Sequence, residues 1–338
     1  MRNRHPMAKH PLHPHWRLLT LNCHEAWIHQ LESLACPLDI IDGLPNRLVT
    51  SWDYRIRPLP INGRLITLSQ AHATPGGYDC IIAHSIQDMM DVKEIPGARI
   101  LVIHNRMESR VQSATVSQSI PEVQSILKNY LALVGGSVVA VSTAKGGSWG
   151  FSECDVVEFG TNVDHYPPWR GTIAAGLRIA NQIEQKKAIL LWEFHQAAFA
   201  DIPVTIIGVN PTMPDARPSK NWADLKETLA AHRFYIHTAH PELEDGYNMA
   251  TVEAMAAGLP ILGNCHPTSP VEHGKSGFLS DDPQALNQYA RMLLQDQALA
   301  ERLGQQARSR VVELFSLPRF AAGFKKAIEK AMHTTPAG

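Results

Sequence analysis

The strongest constraint in this chain is a repeated alternation. A short, wholly apolar run is followed by a stretch with helical spacing, and then by another apolar run. Leu18–Leu21, Leu38–Ile41, Asp79–Ala83 (DCIIA), Arg99–Ile103 (RILVI) and Ser137–Val141 (SVVAV) are such runs, with a helix expected over Glu25–Ala35. Continuous apolar runs covered on both faces belong to parallel sheets, so the fold class is α/β. After Asp164 the chain reads Tyr166-Pro167-Pro168-Trp169-Arg170-Gly171. Paired prolines resist both helix and central strand, so a linker is expected there. A second set follows it. Helix is expected over Lys186–Ala200, Ala250–Gly258, Gln284–Phe315 and Arg319–Met332, and strand over Pro203–Gly208, Phe234–Thr238 and Pro260–Gly263. Gly258 and Pro260 are the stop signal of the helix before them.

The 338 residues suit two domains of ordinary size. At 44% hydrophobic and 19% charged, the chain has the apolar surface to offset chain entropy, which excludes global disorder. A net charge of −1 argues against a dedicated nucleic-acid binder. The local exception is residues 1–17, which hold Arg2, Arg4, Lys9 and Arg17, no acid, and His5, His10, His13 and His15. A flexible solvated arm is expected, since that histidine spacing matches no metal signature. Cys23, Cys36, Cys80, Cys154 and Cys265 are odd in number and contain no C-x-x-C, which suits free thiols in a reducing cytoplasm. No apolar run reaches a membrane span, and no apolar core follows the basic arm as a secretory signal requires.

Two phosphate motifs are missing. The turn after the first strand is Asn22-Cys23-His24-Glu25 rather than G-x-G-x-x-G, which weakens a dinucleotide oxidoreductase. No G-x-x-x-x-G-K-[ST] occurs, which disfavours an NTPase. The informative stretch is instead 241–283, PELEDGYNMATVEAMAAGLPILGNCHPTSPVEHGKSGFLSDDP. Asp245-Gly246-Tyr247-Asn248 leads into a helix whose first turn lies near Met249–Val252. Free amides and the positive dipole end there form an anion site. Gly246 allows close backbone approach. Glu253 can accept hydrogen bonds from hydroxyls. An anion and a polyhydroxylated group between Asp245 and Glu253 fit a sugar nucleotide. Taken alone, each acid reads more simply as a helix-start or surface residue.

The stretch closely resembles the signature of retaining GT-B glycosyltransferases of family 4 (glycosyl transferases group 1). That signature is an acid, seven residues, then Glu-Ala-Met-Ala-x-Gly-x-Pro. Here it is Asp245, seven residues, and Glu253-Ala254-Met255-Ala256-Ala257-Gly258-Leu259-Pro260. The segment Ser269–Leu279 is similar to the glycine loop that follows in the family. Val139–Thr143 with Lys145, and Gly160–Asp164, resemble the end of its N-terminal domain. Ile81–His84 and Val102–His104 resemble its two histidine-bearing strand ends. There are departures. Asp245 stands where most members have Glu. Arg178 follows Ala175-Gly176-Leu177, but the lysine expected five positions later is Ile183, with Lys186 and Lys187 beyond it.

The resemblance implies two Rossmann-like domains facing across a cleft, with the last helix crossing back. The N-terminal, acceptor-side domain would span 18–165 plus the helix within 319–338, and the donor domain 171–318. Asp245, Arg178 and His104 would be catalytic. Glu253 would take the ribose, and Gly246, Tyr247, Asn248, Met249 and Ala250 the diphosphate, with Lys186 or Lys187. Trp222 would stack on the base and Gly208 would line the donor site. His84, Asn105, Arg106 and His24 would lie on the acceptor side. A lone strand-end histidine is usually structural, and lysines in such a segment usually face solvent.

The implied activity is transfer of a hexosyl-type unit from a nucleoside diphosphate sugar to a hydroxyl acceptor with retained configuration. A UDP-sugar is favoured over a GDP-sugar, and no metal or other cofactor is called for. A GT-B isomerase or hydrolase, and a non-catalytic nucleotide-sugar-binding subunit, remain the alternatives. Expected partners are the donor and a glycan, lipid-linked or small-molecule acceptor. Residues 1–164 hold 14 Lys/Arg and 15 Asp/Glu, so peripheral contact with an inner membrane face has no basic surface behind it.

Overall fold

The computed structural model describes residues 16–47, 49–113 and 119–334. The histidines of the N-terminal arm lie outside the described residues. Of the arm's cations only Arg17 is described, and its backbone N–H donates to Asp79 at 2.6 Å.

Two parallel sheets organise the chain. The first contains β1 (Leu18–Leu21), β2 (Leu38–Ile41), β3 (Gly63–Ile66), β4 (Cys80–Ala83), β5 (Ala98–Ile103), β6 (Gly136–Ala140) and β7 (Asp155–Val156). Their order is β3-β2-β1-β4-β5-β6-β7. The second contains β8 (Ile173–Ile179), β9 (Val204–Ile207), β10 (His232–His237), β11 (Ile261–Gly263) and β12 (Gly277–Leu279). It is ordered β12-β11-β10-β8-β9. Strand order therefore reverses between β1 and β4 in one sheet and between β8 and β10 in the other. Open parallel sheets bind ligands outside the carboxyl ends of strands at such reversals.

Several expected boundaries move, each for a local reason. The first helix is α-helical only over Glu25–His29. It tightens to a 3₁₀ turn over Gln30–Leu34 and stops at Ala35, whose φ is +56°. The helix expected from Lys186 begins at Trp192, because Leu191 takes φ +46° and interrupts the spiral. The long segment expected from Gln284 divides into Pro283–Gln295 and Gln297–Leu314, where the Asp296 side chain caps the second helix. Gly277–Leu279, read as loop, is the edge strand β12. β3, β7 and β8 lack the uninterrupted buried pattern that marks the central strands.

The last helix, Leu317–Thr334, returns to the first sheet. Its Phe320 and Phe324 lie edge-on to Trp27, with ring centroids 6.0 and 5.7 Å away, in one buried cluster. The chain thus passes between the sheets twice, through the 166–172 linker and at Ser316. The two passages are tied together, since Thr161 N–H donates to Phe315 at 2.8 Å and Thr161 bridges Ser316. Gly160 lets this happen. A Cβ there would stand 2.9 Å from both Phe320 Cβ and the Ser316 carbonyl oxygen. All five cysteines are free, and no described helix is long and apolar enough to cross a membrane.

Candidate active site

The second-domain wall of the cleft is built at the carboxyl end of β10. Asn264 locks the chain that leaves this strand. Its Oδ1 accepts from Ala239 N–H and its Nδ2 donates to the Ala239 carbonyl, both at 3.0 Å. The chain then runs through Asp245 to the helix Met249–Ala256, capped by Asn248, which accepts from Thr251 N–H at 2.9 Å. Asp245 is 2% exposed and Glu253 7% exposed.

Each of these two acids meets a cation from the opposite domain. Lys145, buried on the short helix Thr143–Ser148, pairs with Glu244 at 2.9 Å and Asp245 at 3.3 Å. Burial pulls the Lys145 ammonium down, but Glu244 and Asp245 outweigh it and hold it above the usual lysine range. Arg57, buried beside the first sheet, donates to Glu253. Burial draws its guanidinium down to about 10. Arg57 also lies over the Trp222 ring, 4.6 Å from the centroid, and Lys226 approaches the same ring at 4.3 Å. Further links cross the cleft. Tyr247 donates to Glu158 at 2.8 Å, and Arg106 donates to the Pro241 carbonyl at 2.6 Å.

Asp245 Oδ1 and His237 Nε2 on this wall are buried with no hydrogen-bond partner, as are Arg106 Nε and Trp222 Nε1 at the same junction. An unmet buried polar group costs about 1–3 kcal/mol. Burial, then Arg178, pulls the His237 imidazole down to about 3. His237 carries no sequence signal as a site residue, because it lies inside an apolar strand run.

Gly246 is required by the protein's own loop. A Cβ would stand 2.6 Å from His266 Nδ1 and 2.8 Å from Ser269 N, and Gly246 N–H donates to Thr268 at 2.8 Å. The side chain of Met249 lies 3.8 Å from Gln30 Nε2, and Ala250 is half-buried in the helix's first turn. Arg178 is turned inward, 3% exposed. Its guanidinium donates to the Thr238 hydroxyl at 2.8 Å and the Leu190 carbonyl at 3.1 Å, and contacts His195 at 3.1 Å. Lys186 is half-buried within the field of Glu244, whereas Lys187 turns to solvent and pairs with Glu184 at 2.6 Å. Gly208, with φ +143°, ends β9, where a Cβ would collide with the Ala180 carbonyl oxygen at 2.1 Å.

On the first-domain wall, His84 and His104 directly follow the adjacent strands β4 and β5. His84 Nδ1 and His104 Nε2 are 2.9 Å apart, and the Thr20 hydroxyl is 2.8 Å from His84 Nε2. Both rings are half-buried. Burial holds His84 down at about 3 and His104 well below the usual histidine range. His24 Nδ1 accepts from Trp27 N–H at 3.1 Å and caps the first helix. Asn105 is exposed, and its carbonyl accepts from Trp149 Nε1 at 2.8 Å.

Residues 217–310 match the family model for glycosyl transferases group 1, a span that contains both Asp245 and Glu253. No curated protein sequence matches the chain significantly. Among solved structures, sucrose-phosphate synthase from Thermosynechococcus elongatus superposes with a TM-score of 0.65 at 16% identity, covering 94% of this chain and 99% of that one. HepE from Anabaena, in complex with UDP-glucose, gives 0.64 at 15% identity, covering 94% and 100%. A glycosyltransferase from Rickettsia africae gives 0.61 at 14% identity, covering 94% and 98%. The chain therefore has the GT-B fold, two Rossmann-like sheets facing across a cleft, and carries a glycosyl transferases group 1 segment on its second wall.

Proposed function

We propose that the chain is a retaining glycosyltransferase. It moves a hexosyl-type unit from a nucleoside diphosphate sugar, a UDP-sugar before a GDP-sugar, to a hydroxyl acceptor. The observation that carries this reading is the pair of buried acids at one helix start. Asp245 and Glu253 are both sequestered on the cleft wall, and Asp245 Oδ1 has no partner of its own. A polyhydroxylated ligand supplies the donors such acids require. In this reading Glu253 takes ribose hydroxyls and Asp245 those of the sugar.

The difficult step is departure of the nucleoside diphosphate with its developing charge. The amides at the start of helix Met249–Ala256 meet that charge, with Lys186 beside them. Arg178 acts from beneath by fixing Thr238 at the end of β10. Fixed dipoles and cations suffice for this work, so a resident metal is not part of the proposal. The free thiols support a cytoplasmic location as part of this reading.

The test is thermal denaturation of the full chain with UDP, GDP, ADP and dTDP and their sugars, repeated on Glu253→Ala. A ligand that binds only the folded state raises the melting temperature by mass action. One nucleotide should raise it in the parent and not in the variant. No shift with any nucleotide, on folded protein, overturns the donor assignment.

A further inference from the structure

Three adjacent strands of the first sheet end in a line of hydrogen-bonding groups, and that line dictates where protons reside. The Thr20 hydroxyl, on β1, donates to the Ile82 carbonyl on β4 at 3.0 Å. A hydroxyl has one proton, so towards His84 Nε2, 2.8 Å away, the same oxygen accepts. His84 therefore carries its proton on Nε2. A neutral imidazole has only one N–H, which leaves His84 Nδ1 bare. His104 Nε2, 2.9 Å from that nitrogen, must then be the donor. By the same rule His104 Nδ1 is unprotonated, and among the described residues nothing else hydrogen-bonds to the His104 ring. Trp27 stands edge-on to both rings, each centroid 5.0 Å away, and fixes their planes. Burial keeps both imidazoles neutral.

We propose that Thr20 and His84 are positioning residues that lock His104 in its Nε2–H tautomer, so that Nδ1 faces substrate as a dedicated acceptor for a sugar or acceptor hydroxyl. Only the identity of that hydroxyl rests on the glycosyltransferase reading. The tautomer itself follows from the hydrogen-bond geometry.

A metal ion is the competing explanation. Cys23, His84 and His104 offer ligand atoms within 4.8 Å of one another. Two nitrogens sharing one tetrahedral zinc at the usual bond length stand roughly 3.3 Å apart. Here they are 2.9 Å apart, the separation of a shared proton.

The experiment is imidazole ¹⁵N NMR on the full chain labelled at histidine, with His84→Asn and His104→Asn used to assign the two rings. Both should show the Nε2–H pattern. Thr20→Val keeps the shape and removes the acceptor, so His84 should shift towards Nδ1–H and His104 should become a tautomer mixture. Thr20→Ser should restore the parent pattern. With a donor in hand, Thr20→Val should lower kcat about tenfold while KM stays within about twofold, the signature of an orienting role. Unchanged tautomers in folded Thr20→Val overturn the proposal. So does an Nδ1–H signal on His84 in the parent, and so does equimolar zinc binding tightly at these rings with the His104 proton moved to Nδ1. The predicted tautomers without any nucleotide binding sustain this inference and sink the donor reading, so the two fail separately.

Discussion

Arg57 and Glu253, 196 positions apart in the chain, meet across the cleft as a buried ion pair laid against the ring of Trp222. Breaking such a pair from one side strands the other charge in low dielectric, which costs about 3–5 kcal/mol. Arg57→Met should lower the unfolding free energy by about 3 kcal/mol. The double variant with Glu253→Gln should lose clearly less than the two single changes added together. Denaturant unfolding of all four proteins reads this coupling, and strict additivity would deny the pair.

Lys145 offers a pH-dependent counterpart. Lys145→Met leaves Glu244 and Asp245 side by side without a cation. Two desolvated carboxylates without a cation repel each other, and protonating one of them removes that penalty. The variant's deficit against the parent is therefore largest at neutral pH and shrinks on acidification. It should reach about 3 kcal/mol at neutral pH. Parallel melts at neutral and mildly acidic pH check the sign of the change.

Acidification should also weaken the parent. His195 and His237 are buried, with pKa values drawn down to about 2 and about 3 by desolvation and by Arg178. The unfolded chain takes up a proton near pH 6.5 that the folded chain refuses. Stability is therefore present above that pH and lost below it, by up to about 1.4 kcal/mol per pH unit for each histidine. Melting temperature against pH should fall from about pH 6.5 downward. A flat profile to pH 5 would show that these rings are solvated.

Gly246→Ala forces a methyl onto His266 and Ser269. The loop 266–269 must shift, at a cost of about 1–3 kcal/mol. Nucleotide protection should fall with it, because the same loop holds Gly246 through Thr268. A variant with parental melting and parental nucleotide response would show that the loop gives way freely.

The two lysines separate cleanly. If the donor site is as proposed, Lys186→Ala should weaken UDP binding about tenfold or more, the worth of one charge-assisted hydrogen bond. Lys187→Ala should change it less than about twofold, as expected for an exposed side chain paired with Glu184. Calorimetry with UDP and UMP distinguishes a contact to the second phosphate from a general charge effect.

What could be read in advance follows physical lines. β1, β2, β4, β5 and β10 are legible because every residue in them is buried or nearly so, and runs of that kind have no other use. β3 and β7 are sheet edges, half open to solvent, and their mixed composition hides them. Asp245 and Glu253 are legible because both belong to one local turn. Arg57, the pairing of Lys145 with Glu244 and Asp245, and the Thr20 hydroxyl are not, because each joins residues far apart along the chain and nothing local announces the meeting. In sequence Gly246 reads as room for a ligand, whereas the neighbour that needs its missing side chain is the loop His266–Ser269.

The paired chain passages beside Thr161 and Ser316 have a mechanical consequence. A single tether leaves two bodies free to twist and tilt, but two tethers sewn side by side leave chiefly one rotation, as with a door on a short hinge. A swing about that line parts Arg57 from Glu253, Lys145 from Asp245 and Arg106 from Pro241. The angle of opening is thereby coupled to the exposure of the two acids, and the jamb closes in one register.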